Sequence, residues 1–433
     1  MIQLLTLASL APASLLEAPI GYHQVAGQNF NTVKLSVGSP AQSLTLVLDT
    51  GSSDTWMPAP NVSGALDSFD PTKSSTFAYR QPQQYFAMRY GDGAYAGGHW
   101  GSDTVSVGAA EVSGMSVAVV VDTNTEIGTF GLGPPELSSS LIPKFNQPTF
   151  SYDSFMDLLG RSSGGLSESS QSIFLDSARS TMVFSTWLAG SERTGVLTFG
   201  GYDKSRYHGE LNWVPIVSGI HYQVQSETIA VNGDIYSHPG IYHIDTGAES
   251  LHLPQKLFEL VVRQFGGAVT AGGMIPCNSS LPEGSITFRF GHGYISVPLS
   301  DLVNPLTFGG KPARDELDRE ICRFGAQPSS ALVLGGAFLR SAYVVFDWEK
   351  QRIGLAQAKT TVGDSRDFVV VKRGLKGANS STMGLPLQAN EARGVDRSGL
   401  LMVVGMLFLF MQFWKIVSCI IIGEKSGKDM MGR

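Results

Sequence analysis

One short word occurs twice in this chain. Residues 46–53 read L-V-L-D-T-G-S-S, and residues 242–250 read Y-H-I-D-T-G-A-E-S. Each copy sets an apolar run before D-T-G. Each is followed, well downstream, by an apolar stretch leading into glycine: G-T-F-G-L-G at Gly128–Gly133 and L-V-L-G-G at Leu332–Gly336. An internal repeat on this scale implies two related halves, each presenting one aspartate, Asp49 or Asp245, on a tight turn at their junction. Glycine after Asp-Thr lets the backbone turn sharply at little steric cost. Two such turns meeting hold two carboxylates side by side. Carboxylates that close do not both ionise easily, so the pair shares one proton and titrates as a unit. One carboxylate then acts as base toward a water held between them, and the other as acid toward the oxygen of an amide carbonyl. That chemistry needs neither a metal nor another cofactor.

The rest of the chain agrees with a strand-rich body. It has 433 residues, enough for two cores. Only 16% are charged, 42% are hydrophobic, and glycine alone counts 50, which excludes a disordered chain or a helical bundle. The net charge is −6 and there is no basic run, so no nucleic-acid partner is expected. Ser43–Leu48 alternates Leu44, Leu46 and Leu48 with Ser43, Thr45 and Val47, the period of a strand with one face more buried than the other. Val112–Val121, Val196–Phe199, Ser285–Phe290 and Tyr343–Phe346 are similar. The best helical signal is Pro254–Phe265, with Leu257, Leu260, Val261 and Phe265 on one side. Gly160–Ser172 is a Ser/Gly-rich loop, and its G-R-S-S-G lacks the strand-to-helix setting of a serine-hydrolase elbow.

Both ends point to the secretory pathway. Met1–Leu16 is apolar and uncharged and resembles a signal-peptide core, although it lacks a basic n-region; the alternative is a first β-strand. The expected signal segment is residues 1–18. Leu400–Gly423 is apolar save for Gln412 and Lys415 and is long enough to cross a bilayer. A polar tail, residues 424–433, follows with Lys425, Lys428 and Arg433, which fits a single-pass anchor over 399–423 with its basic end inside. A GPI signal, with its attachment site among Asn379–Ser381, is the alternative. Residues 359–398 lack periodicity and are expected to form a stalk, in which Lys372–Arg373 reads as a solvated pair. Cys277 and Cys322 lie in the luminal body and Cys419 in the tail, so an oxidising compartment permits one disulfide, Cys277–Cys322. The cysteine and histidine pattern offers no zinc site. Glycosylation sequons stand at Asn61, Asn278 and Asn379.

From Phe30 to Ala358 the chain resembles the pepsin-type aspartic proteases. The shared words are V-L-D-T-G-S-S-D-T-W (Val47–Trp56), R-Y-G-D-G (Arg89–Gly93), G-V-L-T-F-G-G-Y-D (Gly195–Asp203), L-N-W-V-P-I (Leu211–Ile216), I-D-T-G (Ile244–Gly247) and L-V-L-G-G-A-F-L-R-S-A-Y-V-V-F-D (Leu332–Asp347). The flap wording and the tail look most like the fungal yapsin-type branch. The resemblance implies a mainly β, bilobal fold, with lobes over residues 21–205 and 206–358 and the active site between them. It also implies a monomeric endopeptidase acting on proteins or peptides at a membrane of the cell surface or secretory pathway. Paired aspartates sharing a proton are the established pattern of such enzymes. Asp49 and Asp245 are then the catalytic pair, supported by Thr50, Gly51, Ser52, Thr246 and Gly247. Thr50 and Thr246 cross-bond the two loops, and Ser52 donates to Asp49. Tyr90, with Gly91 and Asp92, forms a hairpin flap over the substrate, its hydroxyl reaching toward Trp56. Asp92 favours Lys or Arg beside the scissile bond or simply serves the turn. A catalytically weak or inactive binding protein on the same fold is the alternative.

Three departures from the family carry expectations. The stretch before Phe30 is too short for the usual propeptide, so either none is needed or the sequence is incomplete at its start. The family's hydroxyl after the second D-T-G is replaced by Ala248, which should raise the upper titration of the pair and give a less acidic optimum; renins share this alanine. Glu249 either lines the cleft or faces solvent.

Overall fold

The computed structural model describes residues 15–25, 27–142, 148–161, 182–189, 194–236, 239–277, 281–308 and 310–371. The protein is mainly β, as expected. The five strand segments read from periodicity are all present, each extended by a residue or more or matched at its ends: Gln42–Asp49, Ala110–Thr123, Gly195–Phe199, Ser285–Phe290 and Ala342–Asp347. The helix Gln255–Arg263 buries Leu257 and Val261 completely, with Phe265 just beyond it. One reading of local environment changes. In Gln42–Asp49 every residue from Leu44 onward is buried, Thr45 and Val47 included. The strand lies inside the sheet with both faces covered, and Val47 packs with Val25, Ile127 and Phe30 while the leucines enter the main core.

A long sheet runs through the molecule. It passes from Asn212–Pro215 through Arg352–Gln357, Ala342–Asp347, Val183–Trp187 and Gly195–Phe199 to Leu16–Val25, and onward through Gln28–Val37, Gln42–Asp49 and Thr129–Gly131 to Trp56–Pro58, Ala110–Thr123, Tyr95–Val107 and Ala78–Tyr79. Strands from before and after the expected 205/206 boundary therefore share one hydrogen-bonded sheet. The second half adds its own sheets. One joins Gln223–Ser226, Gly240–Ile244, Val333–Leu334, Leu251–Leu253 and Ala326–Pro328, and another joins Asp234–Tyr236, Thr228–Val231, Ser285–Phe290 and Gly293–Pro298. The largest apolar cluster among the described residues contains Leu35, Leu46, Phe130, Phe184, Tyr242, Phe288 and Phe338.

Two expected boundaries move. Leu16, Glu17 and Ala18, placed in the leader by the sequence reading, pair in register with Phe199, Thr198 and Leu197, and Ala18 and Ile20 are buried. Paired structure is thus present ahead of Phe30. Removal of residues 1–18 would strip three residues from a paired strand. At the other end, the stalk does not start at residue 359. Phe368–Val370 pairs with Gly201–Asp203, and Val362 and Val371 pack against the cluster of Val183, Trp187, Tyr207 and Tyr343.

A buried charge cluster fixes both of these segments. Arg206, 2% exposed, lies 3.2 Å from the fully buried Asp203 and 3.2 Å from Glu17 of the first strand. The backbone N–H of Asp367 donates to Asp203 at 2.9 Å, and Arg366 lies 3.7 Å from the same carboxylate. Desolvated charges are tolerable only when paired in this way. Cys277 and Cys322 form the expected disulfide, with Cα atoms 5.1 Å apart. Asn61 is exposed. Asn278, Asn379, Lys372–Arg373, Cys419, the segments 399–423 and 424–433, and residues 162–181 of the Ser/Gly-rich region lie outside the described residues. Among the described residues, no helix is long and apolar enough to cross a membrane, and no group of side chains could hold a metal.

Candidate active site

The two copies of the repeated word occupy equivalent places. The strand ending at Asp49 pairs in parallel with Thr129–Gly131, matching Val47 to Thr129 and Asp49 to Gly131. The strand ending at Ile244 pairs in parallel with Val333–Leu334, matching His243 to Val333. The glycines of the two downstream words permit close backbone crossings. A Cβ on Gly131 would stand 2.4 Å from the carbonyl carbon of Ser53, and one on Gly335 would stand 2.4 Å from the carbonyl oxygen of Ser250.

The loops then interlock. The N–H of Thr50 donates to Thr246 Oγ1 at 3.0 Å, and the N–H of Thr246 donates to Thr50 Oγ1 at 3.0 Å. Each hydroxyl passes its own proton on, Thr50 to the carbonyl of Ile244 at 3.0 Å and Thr246 to that of Leu48 at 2.7 Å. All four bonds are buried, where a geometry with every donor and acceptor satisfied is strongly specified. Asn31 adds a bond from Nδ2 to the carbonyl of Thr246 at 3.2 Å.

This clamp brings Asp49 and Asp245 together, and the spacing is visible at the glycines. A Cβ on Gly51 would lie 2.6 Å from Asp245 Oδ2, and one on Gly247 would lie 2.7 Å from Asp49 Oδ1. Neither glycine has a left-handed φ. Their role is therefore not the sharp turn read from the sequence; each leaves room for the carboxylate of the other half. The donors around the pair are unequal. Asp49 accepts the Ser52 hydroxyl and the Gly51 N–H, the latter at 2.7 Å. Asp245 accepts the Gly247 N–H at 2.9 Å, with further backbone donation from Ala248 and Gly51. It receives no hydroxyl among the described residues. Burial raises both carboxyls above the ordinary range, and the charge of Asp245 raises Asp49 further.

The hairpin expected around Tyr90 is present. Tyr85–Arg89 pairs with the start of Tyr95–Val107, and the turn closes with the Tyr90 N–H on the Ala94 carbonyl at 2.8 Å. Trp56 Nε1 donates to the Tyr90 hydroxyl at 2.7 Å. Trp56 itself is fully buried with Phe86, Trp100, Ala118 and Val120, so the aromatic packing and the hydrogen bond coexist. Burial and the charge of Asp49 push the Tyr90 phenol upward and keep it neutral. Gly91 and Asp92 are exposed at the tip. Asp92 Oδ1 accepts the Ala94 N–H at 2.9 Å, the turn role. Glu249 does not face solvent. Its side chain is 14% exposed, accepts from Asn29 Nδ2 and lies 3.7 Å from Arg323 Nε.

Sequence reasoning missed the packing behind the first loop. Asp54 is fully buried and accepts from Ser138 Oγ at 2.7 Å, from the Ser139 N–H at 2.9 Å and from the Tyr152 hydroxyl. These bonds tie the loop bearing Asp49 to the segment around residues 134–152. The signal was available in D-T-G-S-S-D, because an acid that close to a buried turn must find donors. His243 and His221 were missed as well.

The comparisons follow the same pattern. A family model described as eukaryotic aspartyl protease matches residues 31–358. The aspartic proteinase yapsin-3 of Saccharomyces cerevisiae is 30% identical over 378 residues, covering 79% of this chain and 69% of its own length. An acid protease of Saccharomycopsis fibuligera is 28% identical, covering 76% of this chain and 81% of its own. Candidapepsin-3 of Candida albicans is 30% identical, covering 76% and 80%.

Proposed function

The chain belongs to the eukaryotic aspartyl proteases and is an aspartic endopeptidase; from that premise we propose that Asp49 and Asp245 are its catalytic pair. The observation that supports this most directly is the reciprocal fit of each D-T-G glycine against the opposite carboxylate. In the working state the pair holds one proton. The ionised carboxylate takes a proton from water as its oxygen attacks the carbonyl carbon of the scissile amide. The protonated partner gives its proton to the carbonyl oxygen. The tetrahedral intermediate then collapses. One of its hydroxyl protons returns to the pair, the amide nitrogen is protonated, and the C–N bond breaks. Thr50 and Thr246 hold the geometry, Ser52 stabilises the charge on Asp49, and Tyr90 closes the site from above.

Both carboxylates come from one chain, which supports a monomeric enzyme of protein or peptide substrates. Asp92, exposed on the flap, supports a preference for Lys or Arg beside the scissile bond. A peptide-library digest over a pH series, with Asp49→Asn, Asp245→Asn and added pepstatin, tests the mechanism. Cleavage that persists in both variants would sink it. In the same digest, an unchanged Lys/Arg to Leu/Phe ratio in Asp92→Ala would dismiss the flap preference.

The apolar run Leu400–Gly423 and the start of the chain support a secretory route ending in a surface-tethered enzyme. Phospholipase C treatment of membranes separates the two anchors: a lipid-anchored form is released, a spanning one is retained, and recovery in the soluble fraction without treatment would refute tethering.

A further inference from the structure

Two residues before Asp49 the repeat places Val47; two residues before Asp245 it places His243. The two positions are structurally equivalent, each on the strand that delivers its aspartate and each paired in parallel with a downstream strand. Where Val47 packs among apolar side chains, His243 meets His221 edge-on, with ring centroids 4.9 Å apart at 61°. Nε2 of His243 and Nδ1 of His221 are buried without a hydrogen-bond partner. An imidazole pair in this position is costly in packing terms. It puts two titratable rings directly behind the catalytic loops.

The groups facing His243 can be named from each side. His221 comes from the turn before Gln223–Ser226, and Asp49 and the backbone of Thr50 from the opposite loop, while Val333–Leu334 contributes no titratable group. Burial disfavours the charged ring of His243, whereas the charge of Asp49 and the Thr50 backbone favour it; the net effect is a lowered value. His221 is pushed down to about 4, by burial first and then by charge on His243. The charge of Asp49 acts on His243 and not on His221, so His243 is the ring of the pair that feels the carboxylates.

We propose that His243 is a positioning residue for the catalytic pair: its imidazolium, formed in acid, opposes loss of the last carboxylate charge and so extends activity to lower pH. The inference rests on the reading of Asp49 and Asp245 as the catalytic pair. Activity requires one ionised carboxylate, and a cation behind the loops makes its protonation harder. At neutral pH His243 is uncharged and leaves the alkaline limb alone. The device thus acts on one limb only.

The test compares pH profiles of kcat/KM for the full chain, His243→Val and His243→Asn. Valine is the residue of the equivalent first-half position, and asparagine keeps a polar group that can still donate toward Thr50. Both variants lack the charge. The expected result is an acid-side apparent pKa raised by about half to one unit in both, a roughly threefold to tenfold loss at the acid end, with the alkaline limb unmoved. An acid edge restored by asparagine, or unmoved in either folded variant, would overturn the charge role. Should valine prevent folding, asparagine decides alone. Asp49→Asn run alongside should be inactive at every pH; residual cleavage there would remove the catalytic-pair reading itself, not the part played by His243.

Discussion

Gly51→Ala is the smallest change that should disable this enzyme while leaving it folded. The added methyl would stand 2.6 Å from Asp245 Oδ2, 2.7 Å from its Cγ and 2.8 Å from its Oδ1. Ordinary contact begins near 3.4 Å, so the carboxylate and the loop must separate by about 0.8 Å. Asp245 has little freedom to swing, since the Gly247 N–H holds it at 2.9 Å and the threonine clamp fixes the loop below. Gly51 does not occupy the left-handed region, so alanine brings no backbone strain of its own. The stability loss should stay near that of modest overpacking, about 1–3 kcal/mol. Misplacing a reacting group by close to 1 Å costs roughly 100-fold in rate. We therefore expect kcat to fall about 100-fold with KM little changed, measured on a quenched peptide beside a urea titration. Gly247→Ala, whose methyl would lie 2.7 Å from Asp49 Oδ1, should behave alike. Gly363→Ala, where the methyl meets nothing within 4 Å, is the control. A folded Gly51→Ala enzyme within about threefold of the parent in kcat/KM would refute the reciprocal-fit argument.

Three further outcomes follow from the same contacts. Ala248→Thr should give Asp245 the hydroxyl donor that Asp49 already has and move the alkaline limb of the pH–rate profile downward; an unmoved limb would refute this. Asp49→Asn should flatten the dependence of stability on pH. Burial and the charge of Asp245 raise the folded pKa of Asp49 above its unfolded value, so the native state binds the extra proton. Its contribution is fully present below about pH 4 and is lost as pH rises through the folded value. The parent should lose on the order of 2–4 kcal/mol on that account between pH 4 and neutrality, and urea titrations with equal slopes would refute the sign. Arg206→Met should cost about 3–5 kcal/mol, because it leaves Asp203 buried without its nearest cation. It should also expose residues 359–371 to protease, and an unchanged digestion pattern would count against the clasp.

The repeat alone makes the site legible in the sequence. D-T-G, the hairpin word around Tyr90 and the later glycine words are fixed by backbone geometry, and backbone geometry is what a short motif encodes. Thr50, Thr246, Ser52, Tyr90 and Trp56 fall where the resemblance places them for that reason. The ends of the body were harder to read. Leu16–Ala18 and Phe368–Val370 hold their places through partners more than 160 residues away along the chain, and no local period announces such pairing.

The side chains that differ between the halves were the least legible, and they matter most to function. A two-fold backbone by itself would give two equivalent carboxylates, whereas catalysis needs one acid and one base. The chain breaks the equivalence at positions on either side of the shared D-T-G. Ser52 donates to Asp49, while Ala248 offers Asp245 only its backbone. Val47 faces hydrocarbon, while His243 faces His221. Ser53 donates to the carbonyl of Pro134, while its counterpart Glu249 is held by Asn29 and Arg323. Asp49 accepts one hydroxyl and one backbone N–H, whereas Asp245 accepts three backbone N–H groups, and the charge of Asp245 adds to burial in raising Asp49. The two carboxyls are therefore unequal holders of the shared proton, as an acid and base pair requires. The drift after the second D-T-G is thus part of the division of labour between the two aspartates.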